Sequence, residues 1–540
     1  SDAVKGRGRV VLISGEAGIG KTSLVRTFLR GIDVEGSKTP RVLNGACENL
    51  SVAEPLAPLY DLARDAGWQA PSSLSGGDGR LALFSDALGE FSAWPSGTVL
   101  VIEDLHWADE ATLDFVRFLA RRIPNYPILL LATSRSEASG AQAQLRRALG
   151  EMTADALVRV PLPPLSEEAV GLLAHAAGRD ANPVWEATGG NAFFVTELLQ
   201  SDGAAPPPSV NDAVLARADR LNGPARSVLD LASLFPRRAE IELVTALLGD
   251  EAEEGIEDCV DDGLLDIDGA NVVFRHELAR QAIEGGLRAS RRRVLNADIH
   301  ERLTAVGAPA ARRLHHARAA GLNDVVRKLA PDAAAAAEAA GARREAAEYY
   351  RAAIDASGGA ASTELLEDAA TANYMVGRYD IAVKYQTEVM DRLAESNDVL
   401  RLGDAWRRLS RYRWSGGDIV TSWGEAEKAI DILEGHESPE LALAYANLSQ
   451  LRMLAYSDLD AEAPARRAIE LAEKFERYDI IAQAKQNIAG YILYSDIDYA
   501  KRLMQDAIDT ALEHGHAEAA ARGMVNMAYM YWWHFQYEEG

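Results

Sequence analysis

Cysteine is nearly absent from this chain: two in 540 residues, Cys47 and Cys259, far apart and in no Cys-x-x-Cys or Cys/His cluster. A disulfide scaffold and a structural zinc site are excluded, and the usage fits a reducing cytosol. Long apolar runs are absent too; stretches such as Ile128–Ala132 fall far short of the ~20 residues that span a membrane. No secretory signal opens the chain, so a cytoplasmic location is expected. Lysine is scarce, nine against 47 Arg, and together with abundant Ala this points to a GC-rich bacterial genome. Basic residues number 56 against 81 acidic ones, a net charge of −25. This excludes a globally basic nucleic-acid binder; DNA contact needs a local basic surface or a segment outside the chain.

What is present is globular in composition: 48% hydrophobic, 25% charged, with 43 Gly and 20 Pro. At roughly 100–200 residues per domain, the length predicts three to five domains.

Arg9–Ser14 (Arg-Val-Val-Leu-Ile-Ser) is a short apolar run suited to a buried parallel strand. Gly15-Glu16-Ala17-Gly18-Ile19-Gly20-Lys21-Thr22 follows at once, and a helical pattern runs on through Leu24, Val25, Phe28 and Leu29. This is G-x-x-x-x-G-K-[ST] in strand–loop–helix context. Its glycines let backbone N–H groups curl around phosphates at a helix N-terminus. Gly15, Gly18, Ile19, Gly20, Lys21, Thr22 and Ser23 are therefore expected to line bound ATP or ADP, with Lys21 on the β/γ-phosphates and the Thr22 hydroxyl on Mg²⁺.

A second strand, Thr98–Ile102, ends in Glu103-Asp104, and carboxylates at the C-terminal end of a parallel strand sit where α/β sheets bind ligands. They are placed to hold the Mg²⁺ shell and to orient a water for attack on the γ-phosphate. A third strand, Pro127–Thr133, ends in Ser134-Arg135; Arg135 is either a catalytic cation near that phosphate or a solvated strand-end arginine. The run Arg41–Leu43 reads as a strand between the phosphate loop and Glu103.

Glu103-Asp104-Leu105-His106-Trp107-Ala108-Asp109 resembles the D-D-x-H-W-A-D signature of the large ATP-binding regulators of the LuxR family, within the signal-transduction ATPases called STAND proteins. Gly45–Glu48 with Pro55–Leu59, Thr188-Gly189-Gly190-Asn191-Ala192-Phe193-Phe194 (similar to G-N-P-F-F) and Phe274-Arg275-His276-Glu277-Leu278 (similar to R-H-x-L) follow in the family's order over about 1–290. The resemblance implies that Asn191 joins the nucleotide site and that His276 contacts the ADP β-phosphate in a closed state; a buried structural histidine is the alternative. It also implies the metal role for Glu103 and the water-orienting role for Asp104. Three departures stand out: Glu103 replaces an aspartate, Ala192 replaces the proline that lines the adenine pocket, and no G-R-x-x-E-L segment precedes the loop. The opening Ser1-Asp2-Ala3 suggests a fragment.

Helices are expected at Ser166–Ala177 and Val184–Gln200, a small lid, followed by a linker at Ala204–Pro208. Segments near Ala213–Leu221, Pro224–Leu234, Ile241–Leu248 and Glu251–Leu265, then a strand at Asn271–Phe274, are consistent with a winged helix. Its would-be recognition helix carries Glu251, Glu253, Glu254, Glu257, Asp258, Asp261 and Asp262 and no Lys or Arg, so DNA phosphates would repel it.

From Arg288 the chain becomes Ala-rich helix with turns at Gly377–Asp380, Gly417-Asp418, Ser457–Asp460 and Ser495–Asp498, spaced 40, 40 and 38 residues apart. This resembles tetratricopeptide-like pairs, whose stacks make concave binding surfaces. Arg288, Arg291, Arg292 and Arg293 read as a solvated face or as a clamp on the winged helix. Tyr529, Tyr531, Trp532, Trp533, Phe535 and Tyr537 read as core awaiting a further helix or as an aromatic effector pocket.

The expected fold is an α/β P-loop NTPase with an AAA-like parallel sheet (1–162), a helical lid (163–208), a winged helix (209–287) and an all-α tetratricopeptide-like solenoid (288–540). The expected activity is an ATP-dependent switch with weak ATPase activity from a bacterial transcription regulator. Its expected partners are an inducer molecule or protein on the repeats, further copies of itself in the presence of ATP, and DNA only through a domain outside this chain. Rival readings are a module regulating an attached enzyme such as a nucleotide cyclase, and an AAA-type DNA-loading ATPase.

Overall fold

The computed structural model describes residues 6–32, 39–70, 76–135, 142–150, 157–200, 210–455 and 460–533. Two compact units divide the chain, Ser1–Gly359 and Ala360–Gly540.

The first unit is built on β1 (Arg9–Gly15), β2 (Arg41–Ala46), β3 (Thr98–Glu103), β4 (Ile128–Arg135) and β5 (Leu157–Pro161), all parallel, in the order β2-β3-β4-β1-β5. Strands β3 and β4 are aliphatic along nearly their whole length and are buried on both faces, as central parallel strands must be. β2 exposes Asn44 and takes an edge. The expected strand at Arg41–Leu43, between the phosphate loop and Glu103 in the sequence, is present and longer, and in the sheet it lies outside β3. Between β1 and β3 lies β4, whose apolar run tolerates neighbours on both sides. β5 was not foreseen in the sequence. Helices α1 (Lys21–Arg30), α2 (Ala57–Ala66), α3 (Gly76–Ser92), α4 (Glu110–Arg122) and α5 (Gln142–Gly150) connect the strands.

The lid consists of α6 (Glu167–Ala176), α7 (Ala181–Thr188) and α8 (Ala192–Gln200). Ser166 caps α6 by accepting from the Ala169 N–H at 3.2 Å. The single helix expected over Val184–Gln200 is instead broken into α7 and α8. Gly189 and Gly190 have φ of +55° and +78°, left-handed values that end one helix before the next begins. The expected linker Ala204–Pro208 lies outside the described residues.

Next come α9 (Val210–Ala218), α10 (Gly223–Ser233), β6 (Arg238–Glu240), α11 (Ile241–Leu248), α12 (Ala252–Asp261), β7 (Leu265–Asp268), β8 (Asn271–Phe274) and α13 (Glu277–Gly286), with an antiparallel sheet in the order β6-β8-β7. Val228, Leu229, Phe235, Val244, Cys259 and Ile283 form its core. The helix expected over Glu251–Leu265 stops at Asp261, since Gly263 has φ +78° and Leu265 already pairs with Phe274 in the sheet. Glu253, Glu254, Glu257 and Asp261 of α12 are exposed. Helices α14 (Ala289–Ala305), α15 (Ala310–Ala320), α16 (Asn323–Ala339) and α17 (Arg343–Ala356) complete the unit as two hairpins; Arg288 and Arg291–Arg293 are exposed.

The second unit is all helical. α18 (Thr363–Met375) pairs with α19 (Tyr379–Leu393), α20 (Val399–Ser415) with α21 (Ile419–Leu433), α22 (Pro439–Leu454) with α23 (Glu462–Lys474), and α24 (Tyr478–Ile492) with α25 (Ile497–Glu513), before α26 (Ala517–Trp533). The turns fall at Gly377 (φ +77°), Gly417 (φ +93°) and Ser495-Asp496, as the spacing predicts; of the expected turn Ser457–Asp460, residues 457–459 lie outside the described residues. Asp418 and Asp496 cap the second helices, accepting from Thr421 N–H at 3.3 Å and Tyr499 N–H at 2.9 Å. Buried Ala426, Ala429, Ala465, Ala468 and Ala472 let the helices approach closely, giving a tetratricopeptide-like stack. Tyr529 and Trp532 are exposed, and Tyr531 packs on the last core cluster. The Trp533 side chain, Phe535 and Tyr537 lie outside the described residues. Among the described residues, no helix is long and apolar enough to cross a membrane.

Candidate functional site

Parallel register decides where the site lies. Ser14 pairs with Ser134 and Gly15 with Arg135 across β1 and β4, while Ile102 pairs with Ala132 across β3 and β4. The phosphate loop, Glu103-Asp104 and Thr133–Arg135 are thereby level at the carboxyl edge of the sheet. In the loop, Gly18 (φ +76°) and Gly20 (φ +103°) adopt left-handed backbone, and Gly20 stands just before α1, so the turn runs straight into a helix N-terminus. Buried Ile19 anchors it: the position a Cβ would take at Gly15 is 2.9 Å from the Ile19 side chain. Lys21 is buried, and its Nζ donates to the Gly15 and Glu16 carbonyls at 2.9 and 2.7 Å. Thr22 is half-buried and Ser23 exposed.

Asp104 is held in left-handed backbone (φ +56°), with its N–H donating to Thr133 Oγ1 at 2.9 Å. Burial, then the adjacent Glu103, pushes its carboxyl up to about 6, while Arg237, Arg135 and Lys21 pull the other way. His106 Nδ1 lies 3.8 Å from Asp104 Oδ1, too far for a hydrogen bond, and neither ring nitrogen finds a hydrogen-bond partner among the described residues. Burial, then Arg135 and Lys21, lowers this histidine to about 3. The Arg135 guanidinium lies over the Trp107 ring, 5.0 Å from its centroid. Asp109, the last residue of the signature, is structural: it accepts from Thr112 N–H at 2.9 Å to cap α4 and from Leu56 N–H at 3.2 Å.

Elements far down the chain close over this edge. Asn191 Nδ2 donates to Ala17 O at 2.9 Å, and the Phe193 N–H donates to Gly18 O at 3.0 Å. A Cβ on Gly18 would meet Phe193 at 2.8 Å, Asn191 Oδ1 at 2.9 Å and Leu278 of α13 at 3.1 Å, so only glycine fits under the lid. Ala192 lies 3.8 Å from the corresponding position on Gly20. His276 packs on Phe193 with ring centroids 4.7 Å apart; burial, then Arg275, lowers it to about 4, so it is neutral near pH 7. Arg237, just before β6, reaches Glu103 Oε2 at 3.4 Å. Buried Arg217 of α9 ties lid to β6–β8 module, donating to Glu197 Oε2 at 3.1 Å, Gln200 Oε1 at 2.8 Å and Asp262 Oδ2 at 2.6 Å.

The phosphate loop, Glu103, Asp104 and Arg135 are thus assembled at one edge. Asn191 touches the loop directly, and His276 stands behind Phe193. Sequence reasoning missed Thr133 and Arg237 as site residues, and named Leu278 in its motif without placing it over Gly18. The usable signals were a Thr-Ser pair ending an otherwise aliphatic strand and an Arg-Arg step after Pro236 in an acidic segment. Among the described residues, no group of three or more His, Cys, Asp or Glu is placed to hold a metal by itself.

A family model described as an AAA ATPase domain matches residues 1–131. An uncharacterised protein of Rhizobium meliloti (strain 1021) is 25% identical over 360 residues, 54% of this chain and 34% of its own length. The chain therefore spans about a third of that curated relative. Among solved structures, the chain is similar to a signal-transduction ATPase with numerous domains and a tetratricopeptide repeat sensor from Pyrococcus horikoshii. That likeness has a TM-score of 0.43 and 16% identity, over 98% of this chain and 85% of that one. It is also similar to the Orc1 protein of Aeropyrum pernix in complex with DNA, with a TM-score of 0.30 and 15% identity over 54% of this chain and 90% of that one. The family match over 1–131 and the helical pairs of the second unit put an AAA-type ATPase module and a tetratricopeptide-like stack in one chain.

Proposed function

We propose that the chain is the switch portion of a STAND-class regulator: it binds ATP or ADP with Mg²⁺, and the nucleotide sets how the lid and the β6–β8 module, read as a winged helix, close on the ATPase. One observation carries this reading. Asn191 and Phe193 hydrogen-bond the phosphate loop at Ala17 and Gly18, while Arg237 reaches the strand-end carboxylate Glu103.

The donor set suits the nucleotide and its metal. Lys21 exchanges the Gly15 and Glu16 carbonyls for phosphate oxygens. Thr22, Glu103 and Asp104 offer only oxygen, the donor that Mg²⁺ prefers, and Mg²⁺ usually keeps phosphate and water ligands beside one or two carboxylates. Bound Mg²⁺ neutralises charge on the β- and γ-phosphates. Asp104, raised by burial, orients the attacking water, and His276 donates to the ADP β-phosphate in the closed state. Hydrolysis is slow and resets the switch.

An inducer molecule or protein partner binds the helical stack; with ATP it opens the first unit and permits self-association. Each ligand acts only through its difference in affinity for the two states. The output is transcriptional, in the manner of the LuxR-type regulators that the signature resembles, with DNA read by a domain outside this chain. The acidic exposed face of α12 supports a structural role for the winged helix. The test is Lys21→Ala. At ligand 100-fold above Kd, linkage stabilises the wild type by about 2.7 kcal/mol and the variant by little. Equal thermal shifts for both proteins with ATP and Mg²⁺ would refute nucleotide binding at this loop.

A further inference from the structure

Two adjoining cavities in the first unit share Glu54, Tyr60 and Pro309, and no phosphate-loop residue lines either of them. The apolar cavity, about 390 Å³, is walled by the alanine face of α16 (among them Ala333, Ala336 and Ala337), with Tyr349 of α17. The other, about 200 Å³, is charged and includes Glu48, Asp61, Arg238 and Arg312. The volume of the apolar cavity lies in the range of small-molecule sites, which are mostly apolar with a few placed polar groups.

The charges at the junction do not balance. Arg312 is gripped by both oxygens of Glu240, at 2.7 and 2.9 Å, and Arg238 by Asp61 at 3.0 Å. Glu54 stands at the waist between the cavities with Glu48 beside it, and neither carboxylate has an ion pair or side-chain hydrogen bond among the described residues. Burial, then Glu48, raises Glu54 to about 7; Arg312 pulls the other way, but its hydrogen bonds go to Glu240. Across the two linings Glu48, Glu54, Asp61, Asp109 and Glu240 outnumber Arg64, Arg238 and Arg312, so the junction favours a further cation. Among the described residues no three His, Cys, Asp or Glu side chains converge to hold a metal, and the adjoining apolar chamber suits the body of an organic cation better than a bare ion.

We infer that these cavities form a binding site for a small organic amine, its ammonium group at Glu54 and its apolar body in the alanine-walled chamber beside Tyr349. The walls come from the ATPase segment after β2, from β6 and from α15–α17, so an occupant bridges them and favours the arrangement in which they meet. The route to the nucleotide edge is short: the N–H of Cys47, on the cavity wall, donates to the carbonyl of Glu103 at 3.0 Å.

The probe is 2-phenylethylamine, with 3-phenylpropanol and 3-phenylpropionate as neutral and anionic controls, titrated by ligand-observed NMR against the whole chain. The account expects the ammonium to bind, the carboxylate not to, and the neutral alcohol to bind at least about tenfold more weakly than the ammonium. Glu54→Gln should lose at least about tenfold in amine affinity, and Ala336→Phe, which fills the chamber from an exposed position, should abolish binding. Retained ADP-induced thermal shifts in both variants would show that fold and nucleotide site are intact, which separates this inference from the proposed switch. Equal binding of alcohol and ammonium, unchanged affinity in either variant, or no binding of the amine to the wild type would overturn it.

Discussion

Arg237 reaches Glu103 across 134 residues of sequence, its guanidinium 3.4 Å from Oε2, with both side chains about a quarter exposed or less. The contact joins the β6–β8 module to the carboxylate proposed to serve the metal. A carboxylate engaged by an arginine is less available to Mg²⁺, so closure and metal binding compete for one group.

Arg237→Ala removes that competition. A partly exposed pair of this kind is worth up to about 1 kcal/mol, a factor of roughly five. Single-turnover ATP hydrolysis should therefore reach half its maximum at severalfold lower Mg²⁺ in the variant. An unchanged Mg²⁺ titration would make Arg237 a surface contact only.

Asp104→Asn separates binding from chemistry. The variant should keep ATP affinity within a few-fold and lose hydrolysis, since the amide is a poorer acceptor for the attacking water. Stability carries a second signature. Burial, then Glu103, holds this carboxyl at about 6, above the ~3.9 of an unfolded chain, so its ionisation opposes folding progressively from pH 4 to 6 and fully above that. Without nucleotide, Asp104→Asn should have the higher Tm at pH 7.5, and the gain should vanish below about pH 4. Hydrolysis at wild-type rate would remove Asp104 from the chemistry.

His276→Ala should accelerate ADP release. A hydrogen bond to a charged phosphate contributes about 1.5–3 kcal/mol, or on the order of 10–150-fold in affinity. Stopped-flow release of fluorescent ADP at wild-type rate would leave His276 as packing for Phe193.

The parts of this site that could be read in sequence are those whose signal is local. The phosphate loop declares itself through its own glycines and Lys21, and Glu103-Asp104 through its place at the end of an aliphatic strand. Sheet order was not local: Arg41–Ala46 reads as a strand wherever it lies, and only pairing shows β4 beside β1. The break at Gly189-Gly190 was hidden because apolar periodicity runs through it, while positive φ there ends α7. Thr133 behind Asp104, Leu278 over Gly18 and Arg237 on Glu103 are long-range contacts that no spacing rule reaches.

The central claim is that nucleotide identity sets the arrangement of the β6–β8 module over the ATPase edge. Cys47 and Cys259 are both buried, so spin labels at Arg121→Cys on α4 and Glu254→Cys on α12, both exposed in the wild type, report that arrangement alone. Pulsed dipolar spectroscopy on the doubly labelled chain should give one narrow distance with ADP. With ATP, Mg²⁺ and the Asp104→Asn background, a second, longer population should appear. The same single distance in both nucleotide states would contradict the switch.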